Sequence, residues 1–286
     1  MITVHNRKID SWLLLILINL IIIFLIYYSI LRYETSSSGD TSVRIKIFKL
    51  IRFWYGVVLI LTCFKEVHII IQAIGSPDID SYLIKMDYLL FGVNPTQWAY
   101  RFQNPFLTEF LQVIYLLYYF LILIYGLELY LWKRLEELRF TLLLIFLSFF
   151  ICYVFYIIFP AIGPRFYLHD FHSIKTELPG IILTDYIRAF IDFGESISYN
   201  VSNPHLLAQR DAMPSAHIAV AIILAYLSKK FRSKSFRFYF PYCILMTIAT
   251  IYLRYHYVVD LIAGASVALI AIIVSKYFEK YYSLRA

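Results

Sequence analysis

Long apolar runs separated by short polar stretches dominate this chain. Seven of them are candidates for membrane-spanning helices, because a span needs roughly 20 consecutive apolar residues. The runs cover residues 10–32, 53–74, 107–131, 139–159, 214–230, 237–254 and 257–278. The fifth and sixth runs are the shortest, so the positions of their ends are the hardest to fix. The pattern predicts an all-α polytopic membrane protein with about six to seven transmembrane helices.

Composition agrees with the pattern of apolar runs. The 286 residues are 61% hydrophobic and 16% charged, and the mean hydropathy is +0.70. A soluble domain carries about a quarter charged residues. The net charge of +7 does not indicate nucleic acid, because the basic residues cluster at the ends of apolar runs, as membrane topology requires. The three cysteines lie within apolar runs and lack metal-ligand spacing, so we expect no metal site.

The distribution of positive charge predicts the orientation in the membrane. If the seven runs alternate in direction, more than half of the 26 Lys and Arg residues fall on one side. They lie in loops 33–52, 132–139 and 229–237 and in the C-terminal tail. The positive-inside rule makes this side cytoplasmic, together with the C-terminus. The polar motifs described below then share the extracytoplasmic or lumenal face, which predicts one composite site there.

The second apolar run contains charges at a depth where they are costly. Lys65, Glu66 and His68 interrupt it, and such residues usually pair or face water. They either line a polar substrate cavity or mark a helix that ends near Phe64 and is followed by an interfacial helix. A transporter or channel with these three residues on its path is the first rival to an enzyme. Residues 82–91, in the next polar segment, are predicted to form an amphipathic helix in the membrane interface.

The stretch Asp211-Ala-Met-Pro-Ser-Ala-His217 opens the fifth run and has the residue types of a phosphate site. Proline is favoured at the first helical position, and the amides that follow it, with the helix dipole, attract anions. Ser215 adds a hydroxyl donor. His217 can serve as an acid or a base near neutral pH. The alternative is an ordinary helix cap beside an incidental histidine.

Two further motifs supply the remaining polar groups. His256 and Asp260 are four residues apart, so they share one face if they lie on a helix, and the carboxylate would fix the imidazole tautomer. Arg254 precedes them at the membrane edge. The sequence Gly-Pro-Arg165 follows the fourth run, and its arginine could bind phosphate oxygens. The alternatives are a salt-bridged interfacial pair for His256 and Asp260 and a lipid-headgroup anchor for Arg165.

Taken together, the three motifs resemble those of the type 2 phosphatidic acid phosphatase superfamily. They are Gly-Pro-Arg165, Met-Pro-Ser-Ala-His217 and Tyr-Leu-Arg-Tyr-His256-Tyr-Val-Val-Asp260-Leu-Ile-Ala-Gly264. More narrowly, Met86-Asp-Tyr-Leu-Leu-Phe-Gly-Val-Asn-Pro-Thr-Gln-Trp98, Leu107-Thr-Glu109 and Tyr115 look like the branch that includes inositol phosphorylceramide synthases. The chain departs from the broad superfamily pattern in several places. Ile158 stands where the pattern has lysine, and proline precedes Arg165 instead of following it. Ala216 stands where glycine is common, and Ala249 and Thr250 stand where the pattern has serine and arginine.

The resemblance implies a fold and a mechanism. The fold is a helical core of the phosphatase and haloperoxidase kind, with residues 53–286 as the catalytic domain and residues 1–52 as an N-terminal transmembrane helix and cytoplasmic loop. His256 would attack phosphorus and form a phosphohistidine, with Asp260 orienting it and His217 moving protons. The phosphoryl oxygens would be bound by Arg165, Ser215 and Arg254.

The same resemblance limits the partners. It implies a membrane lipid phosphate or diphosphate as substrate, and no cofactor or metal. An acceptor of water makes the enzyme a phosphatase, and a polyol or lipid alcohol makes it a transferase. A catalytically silent lipid-binding relative is the second rival, although the presence of both histidines and the aspartate speaks against it.

Overall fold

The computed structural model describes residues 2–34, 43–195, 197 and 203–279. Within these residues all regular structure is helical, as twelve α-helices and three short 3-10 helices. The described chain divides into two compact units, Met1–Gly75 and Ser76–Ala286. The all-α architecture predicted from the sequence is therefore confirmed.

The first unit consists of two long helices, α1 (Ile2–Glu34) and α2 (Val43–Ile74). Each contains a stretch long and apolar enough to cross a membrane, and Glu66 in α2 accepts a hydrogen bond of 2.8 Å from Asn19 in α1. The helix α2 does not end near Phe64, since it continues without a break to Ile74. The charged residues of this run therefore lie inside a continuous helix.

The predicted division of the chain after residue 52 falls inside α2. Part of the predicted cytoplasmic loop, residues 43–52, belongs to this helix, and residues 35–42 lie outside the described part of the chain. The assignment of residues 53–286 as a catalytic domain stays a prediction.

The second unit contains ten α-helices of very different length. They are α3 (Asp80–Phe91), α4 (Pro95–Ala99), α5 (Pro105–Leu131), α6 (Leu135–Ile158), α7 (Pro164–Tyr167), α8 (Ile174–Glu177), α9 (Thr184–Gly194), α10 (Ala216–Lys230), α11 (Phe236–Tyr252) and α12 (Val258–Glu279). The 3-10 helices are Tyr100–Phe102, Phe171–Ser173 and Pro204–Leu206. The long helices form a bundle, and the short ones belong to the two polar segments that connect them.

The centre of the bundle is α10, which packs against α5, α6, α11 and α12. Most of its residues are buried, including Ala219, Ala221 and Ala225, whose small side chains let neighbouring helices approach closely. At 15 residues it rises only about 22 Å, less than the roughly 30 Å of a bilayer core.

All seven predicted spans are helical in the structure. Five of the described helices are long and apolar enough to cross a membrane, which fits an integral membrane protein. These are the stretches Trp12–Arg32, Trp54–Ile74, Pro105–Leu131, Leu135–Ile158 and Val258–Glu279. The predicted fifth and sixth spans correspond to α10 and α11, which have 15 and 17 residues.

Candidate active site

Backbone contacts bring the three sequence motifs together at one end of the bundle. The amide of Ala212 donates to the carbonyl of Ala161 at 3.1 Å, and the amide of Ser215 donates to the carbonyl of Asp260 at 3.0 Å. Gly163 has a φ of +89°, and a Cβ there would lie 2.9 Å from the carbonyl oxygen of Tyr255. Glycine is needed at this position both for its conformation and for the close approach.

A second glycine sets the distance between α12 and the start of α10. A Cβ at Gly264 would lie 2.3 Å from the carbonyl oxygen of Ser215, which is a severe overlap. The backbone of the Pro214-Ser215 turn therefore rests directly on α12. Ser215 itself is the N-cap of α10, where its fully buried Oγ faces the amide of Ile218 at 3.5 Å.

The two candidate catalytic histidines lie in direct contact. The Nδ1 atom of His217 is 3.1 Å from the Nε2 atom of His256. On its other side, Nδ1 of His256 lies 3.0 Å from the carbonyl oxygen of Ala212 and 3.5 Å from Oδ2 of Asp260. Both of these groups are acceptors, so Nδ1 of His256 carries the proton and Nε2 presents its lone pair. The proton in the contact between the rings then belongs to Nδ1 of His217.

This geometry revises one expectation from the sequence. His256 does not share a helix face with Asp260, since α12 begins two residues later, at Val258. Asp260 is fully buried in the first turn, and its Oδ2 accepts from the amide of Tyr257 at 2.9 Å. The nearest acceptor for His256 is thus the carbonyl of Ala212. Burial lowers the pKa of His256 to about 4, which keeps the ring neutral and nucleophilic at physiological pH.

Tyrosine rings from α5 enclose His217. Tyr115 stacks on it at a centroid distance of 4.7 Å, and Tyr118 lies tilted against it at 4.2 Å. Tyr115 also stacks on Tyr255, the residue before His256, at 4.0 Å. Only Tyr115 had been singled out from the sequence, because aromatic residues spaced along an apolar helix do not by themselves distinguish a site from a core.

A cavity opens beside the histidine pair. Its lining brings together groups from all three motifs and from α5, namely Tyr115, Ile162, Arg165, Phe166, Glu195, Gln209, Asp211, Ala212, His217, Tyr255 and His256. Arg165 is 4% exposed, and its guanidinium lies 4.8 Å from the centre of the Tyr255 ring. The cavity thus combines a cation, imidazoles and carboxylates. Among the described residues, no group of three or more His, Cys, Asp and Glu is arranged to hold a metal ion.

The guanidinium of Arg165 forms ion pairs with two carboxylates. Its Nη1 is 2.9 Å from Oδ1 of Asp192, and its Nη2 is 2.6 Å from Oε2 of Glu195. Burial raises the pKa of Glu195 to about 7, with Asp211 and Asp192 adding to the effect and Arg165 opposing it. Sequence reasoning missed both partners, because nothing in the spacing of residues 165, 192 and 195 indicates that they meet.

Arg254 occupies a different environment. It adopts a left-handed backbone conformation with a φ of 66°, which costs a non-glycine residue roughly 1–2 kcal/mol. Its Nη1 forms an ion pair with Glu177, and its guanidinium lies 5.4 Å from the centre of the Tyr100 ring. Arg254 and Ser215 are not among the described residues that line the cavity. A role in phosphate binding stays a prediction for both.

The remaining predicted residues, Lys65, Glu66 and His68, lie in α2. They belong to the first compact unit, whereas the cavity belongs to the second. Glu66 accepts from Asn19 within that unit, and His68 Nε2 lies 3.0 Å from Nε2 of Gln72. Their predicted place in a substrate cavity stays a prediction.

Comparison with known proteins agrees with the motifs. A protein-family model described as PAP2 superfamily matches residues 82–274, which include all three motifs and the cavity. A PA-phosphatase related-family protein of Dictyostelium discoideum is 28% identical over 132 residues. That alignment covers 46% of this chain and 22% of the relative, so the chain spans only a fraction of the relative's length. No solved structure gave a significant match.

Proposed function

Because the chain belongs to the PAP2 superfamily, we propose that it is an integral membrane enzyme that cleaves a phosphoester or diphosphate bond of a lipid through a phosphohistidine. The nucleophile is Nε2 of His256, and the proton donor is His217. The observation that carries the proposal is the contact of 3.1 Å between Nδ1 of His217 and Nε2 of His256 at the cavity wall.

In the first half-reaction, the lone pair on Nε2 of His256 attacks phosphorus. The N–P bond forms as the bond from phosphorus to the leaving oxygen breaks, and His217, protonated on both ring nitrogens once the anionic substrate is bound, gives one of its protons to that oxygen. The Nδ1 proton of His256 stays between the carbonyl of Ala212 and Asp260, which stabilise the positive charge that develops on the ring. The two rings must separate for the phosphoryl group to enter between them.

In the second half-reaction, an oxygen nucleophile attacks the phosphohistidine. His217 takes its proton, the N–P bond breaks, and His256 regains its lone pair. If the nucleophile is water, the enzyme is a phosphatase. If it is the hydroxyl of a polyol or a lipid, the enzyme is a phosphotransferase similar to inositol phosphorylceramide synthases. We propose that hydrolysis or transfer takes place at this same site. The polar segments on the proposed extracytoplasmic face would then determine which acceptor is used.

We propose that Arg165 neutralises the negative charge of the phosphoryl group. This arginine lines the cavity beside both histidines, and a guanidinium binds two phosphate oxygens at once. Ser215, the amides of the first turn of α10 and Arg254 are the further candidates suggested by the family resemblance. The proposed face is extracytoplasmic or lumenal, with a cytoplasmic C-terminus, on the strength of the charge distribution in the sequence.

The proposal is tested by phosphate release from phosphatidic acid or an isoprenyl diphosphate, measured with EDTA present. Purified His256→Ala, His217→Ala and Asp260→Asn are compared with wild type, and the exposed His205→Ala is the matched control. We expect His256→Ala to lose at least about 10⁴-fold in turnover and all acid-labile labelling of the protein by ³²P-substrate. Unchanged turnover in His256→Ala would contradict the assignment of His256 as the nucleophile. Strict dependence on a divalent metal would contradict the mechanism.

A second measurement distinguishes water from an alcohol as the acceptor. Labelled inositol is added to the wild-type protein with candidate lipid donors in mixed micelles. Labelled inositol recovered in a phosphorylated product, either inositol phosphate or a labelled lipid, and not formed with His256→Ala, selects transfer. Release of inorganic phosphate with no phosphorylated inositol product selects hydrolysis.

A further inference from the structure

The helix α3 has an unusual arrangement of polar and apolar side chains. Its exposed face is mostly apolar and includes Tyr82, Met86 and Leu89 beside Lys85, whereas Asp80 and Asp87 are 0% and 1% exposed. The two aspartates are seven residues apart, close to two helical turns, so they lie on the same face. Burying two carboxylates is costly unless hydrogen bonds satisfy them, so their partners identify what this face does.

Asp80 joins the segment of the first motif to that of the third. Its Oδ2 accepts from the amide of Ile162 at 3.0 Å, and its Oδ1 accepts from the amide of Gly163 at 2.9 Å. The same Oδ1 accepts from the hydroxyl of Tyr257 at 2.9 Å. Arg165 follows two residues after Gly163, and His256 precedes Tyr257. One carboxylate therefore holds the chain next to two proposed site residues.

Asp87 caps a helix to which it does not belong. Its Oδ2 accepts from the amide of Val258 at 2.9 Å, and its Oδ1 accepts from the amide of Val259 at 3.0 Å. These are the first two residues of α12, whose amides have no partner within the helix. Asp87 thus fixes where α12 begins, two residues after His256 and two residues before Asp260.

Apolar packing extends these contacts to the second motif. Leu83, between the two aspartates, belongs to a buried cluster with Ala161, Ala212, Tyr257 and Val259. Ala212 supplies the carbonyl that orients His256. The inner face of α3 therefore packs in one apolar cluster with segments of all three motifs.

We propose that Asp80 and Asp87 are positioning residues, which hold the segments of the three motifs in register so that His256, His217 and Arg165 converge on one phosphoryl group. The proposal rests on the function proposed above. Neither carboxylate touches the substrate, and both act through backbone amides. Every oxygen of the two carboxylates accepts at least one hydrogen bond, so an asparagine would turn an NH₂ group toward an N–H donor.

The first test compares Asp80→Asn and Asp87→Asn with wild type. The matched control is Asp170→Asn, because Asp170 also caps a short helix through backbone and side-chain donors but is exposed. We expect a fall in kcat of about 10²-fold in the two α3 variants with KM within about threefold, because misplacement by about 1 Å is enough for that loss. The control variant should stay within twofold of wild type.

The second test uses no substrate and so separates failure of this proposal from failure of the proposed function. The rate of His256 carbethoxylation by diethyl pyrocarbonate is followed against pH by peptide mass spectrometry. Burial lowers the pKa of His256. Loosening its segment should let water in and move the midpoint of labelling upward in Asp80→Asn and Asp87→Asn, but not in Asp170→Asn. Unchanged midpoints together with wild-type kcat would overturn the proposal, even if the wild-type enzyme transfers phosphoryl groups as expected.

If Asp80→Asn does not yield folded protein, Tyr257→Phe replaces it. This change removes one of the three donors to Asp80 and leaves its carboxylate and both amide contacts in place. We expect a smaller fall in kcat, about threefold to tenfold, with the same upward movement of the labelling midpoint. A variant that folds like wild type and labels like wild type contradicts the role given to Asp80.

Discussion

The histidine end and the arginine end of the cavity differ in what holds their side chains. At the histidine end, which comprises His217, His256 and the stacked Tyr115, backbone and aromatic contacts fix each ring and leave the lone pair of His256 directed at its partner. At the arginine end, which comprises Arg165, Asp192 and Glu195, two carboxylates occupy the guanidinium. The tautomer and orientation of the proposed nucleophile are set in the absence of substrate, and it has to part only from His217. The proposed phosphate-binding group has to give up a charged partner before it can act.

The largest effect that tests this difference is expected at Arg165. Arg165→Lys keeps the positive charge but loses the planar pair of donors, and it should lower kcat/KM by about 10²-fold through weaker stabilisation of the transition state. Steady-state kinetics on purified protein measure the change. The control is Arg210→Lys, since Arg210 forms an ion pair with Asp78 and is not among the described residues that line the cavity. Equal losses in the two variants would mean that the arginine end has no special role.

An intermediate effect is expected at Glu195. In wild type, Glu195 takes up a proton as the pH falls through about 7, which weakens its ion pair with Arg165 and favours phosphate binding. The variant Glu195→Gln should therefore bind substrate about three to tenfold more tightly than wild type at pH 8. At pH 6 the two proteins should have similar KM values.

The measurement is KM from pH 5.5 to 8.5 for both proteins. Asp185→Asn is the control, because Asp185 is an exposed aspartate of α9, the helix that Glu195 follows as its C-cap residue. Comparing the proteins at each pH cancels the ionisation of the substrate. A Glu195→Gln variant that binds substrate more weakly at pH 8 would show that the carboxylate helps to bind substrate and does not compete with it.

The smallest effect is expected for Tyr115→Phe. Tyr115→Phe keeps the aromatic ring that stacks on His217 and on Tyr255, so turnover should change by less than about threefold. Tyr115→Leu removes the stacking and should cost more than about tenfold. Turnover and thermal unfolding of both variants test whether the ring or the hydroxyl matters. A large loss in Tyr115→Phe would reveal a role for the hydroxyl at the histidine end.

The sequence predicts the helices well because burial in a membrane requires long apolar runs. All seven predicted spans are helices, although α10 and α11 are shorter than a span requires. Both pack against other helices of the bundle, and hydropathy does not measure such packing. The same limitation explains α2, where the charges at Lys65 and Glu66 suggested a break that the structure does not contain.

The sequence identifies the candidate histidines but not what surrounds them. The motif with His217 and the motif with His256 contain enough local signal, in proline, serine and spacing, to suggest a phosphate site. The contacts of Arg165 with Glu195 and of Asp80 with Gly163 join residues far apart in the chain. Such long-range contacts produce no periodic pattern in the sequence. They can be identified only from the folded structure, in which the three motifs and α3 lie together.

Gly264 has a consequence for how this site can vary. It has no side chain to offer chemistry, yet the carbonyl of Ser215 lies where its Cβ would be. The separation of the two candidate catalytic histidines therefore depends on a direct contact between backbones and not on adjustable side-chain rotamers. Even one added methyl group would lift the start of α10 from α12 and lengthen the gap between the rings. The glycine at position 264 thus allows the two backbones to touch and sets the distance between them. A search for active relatives should therefore require this glycine along with the histidines.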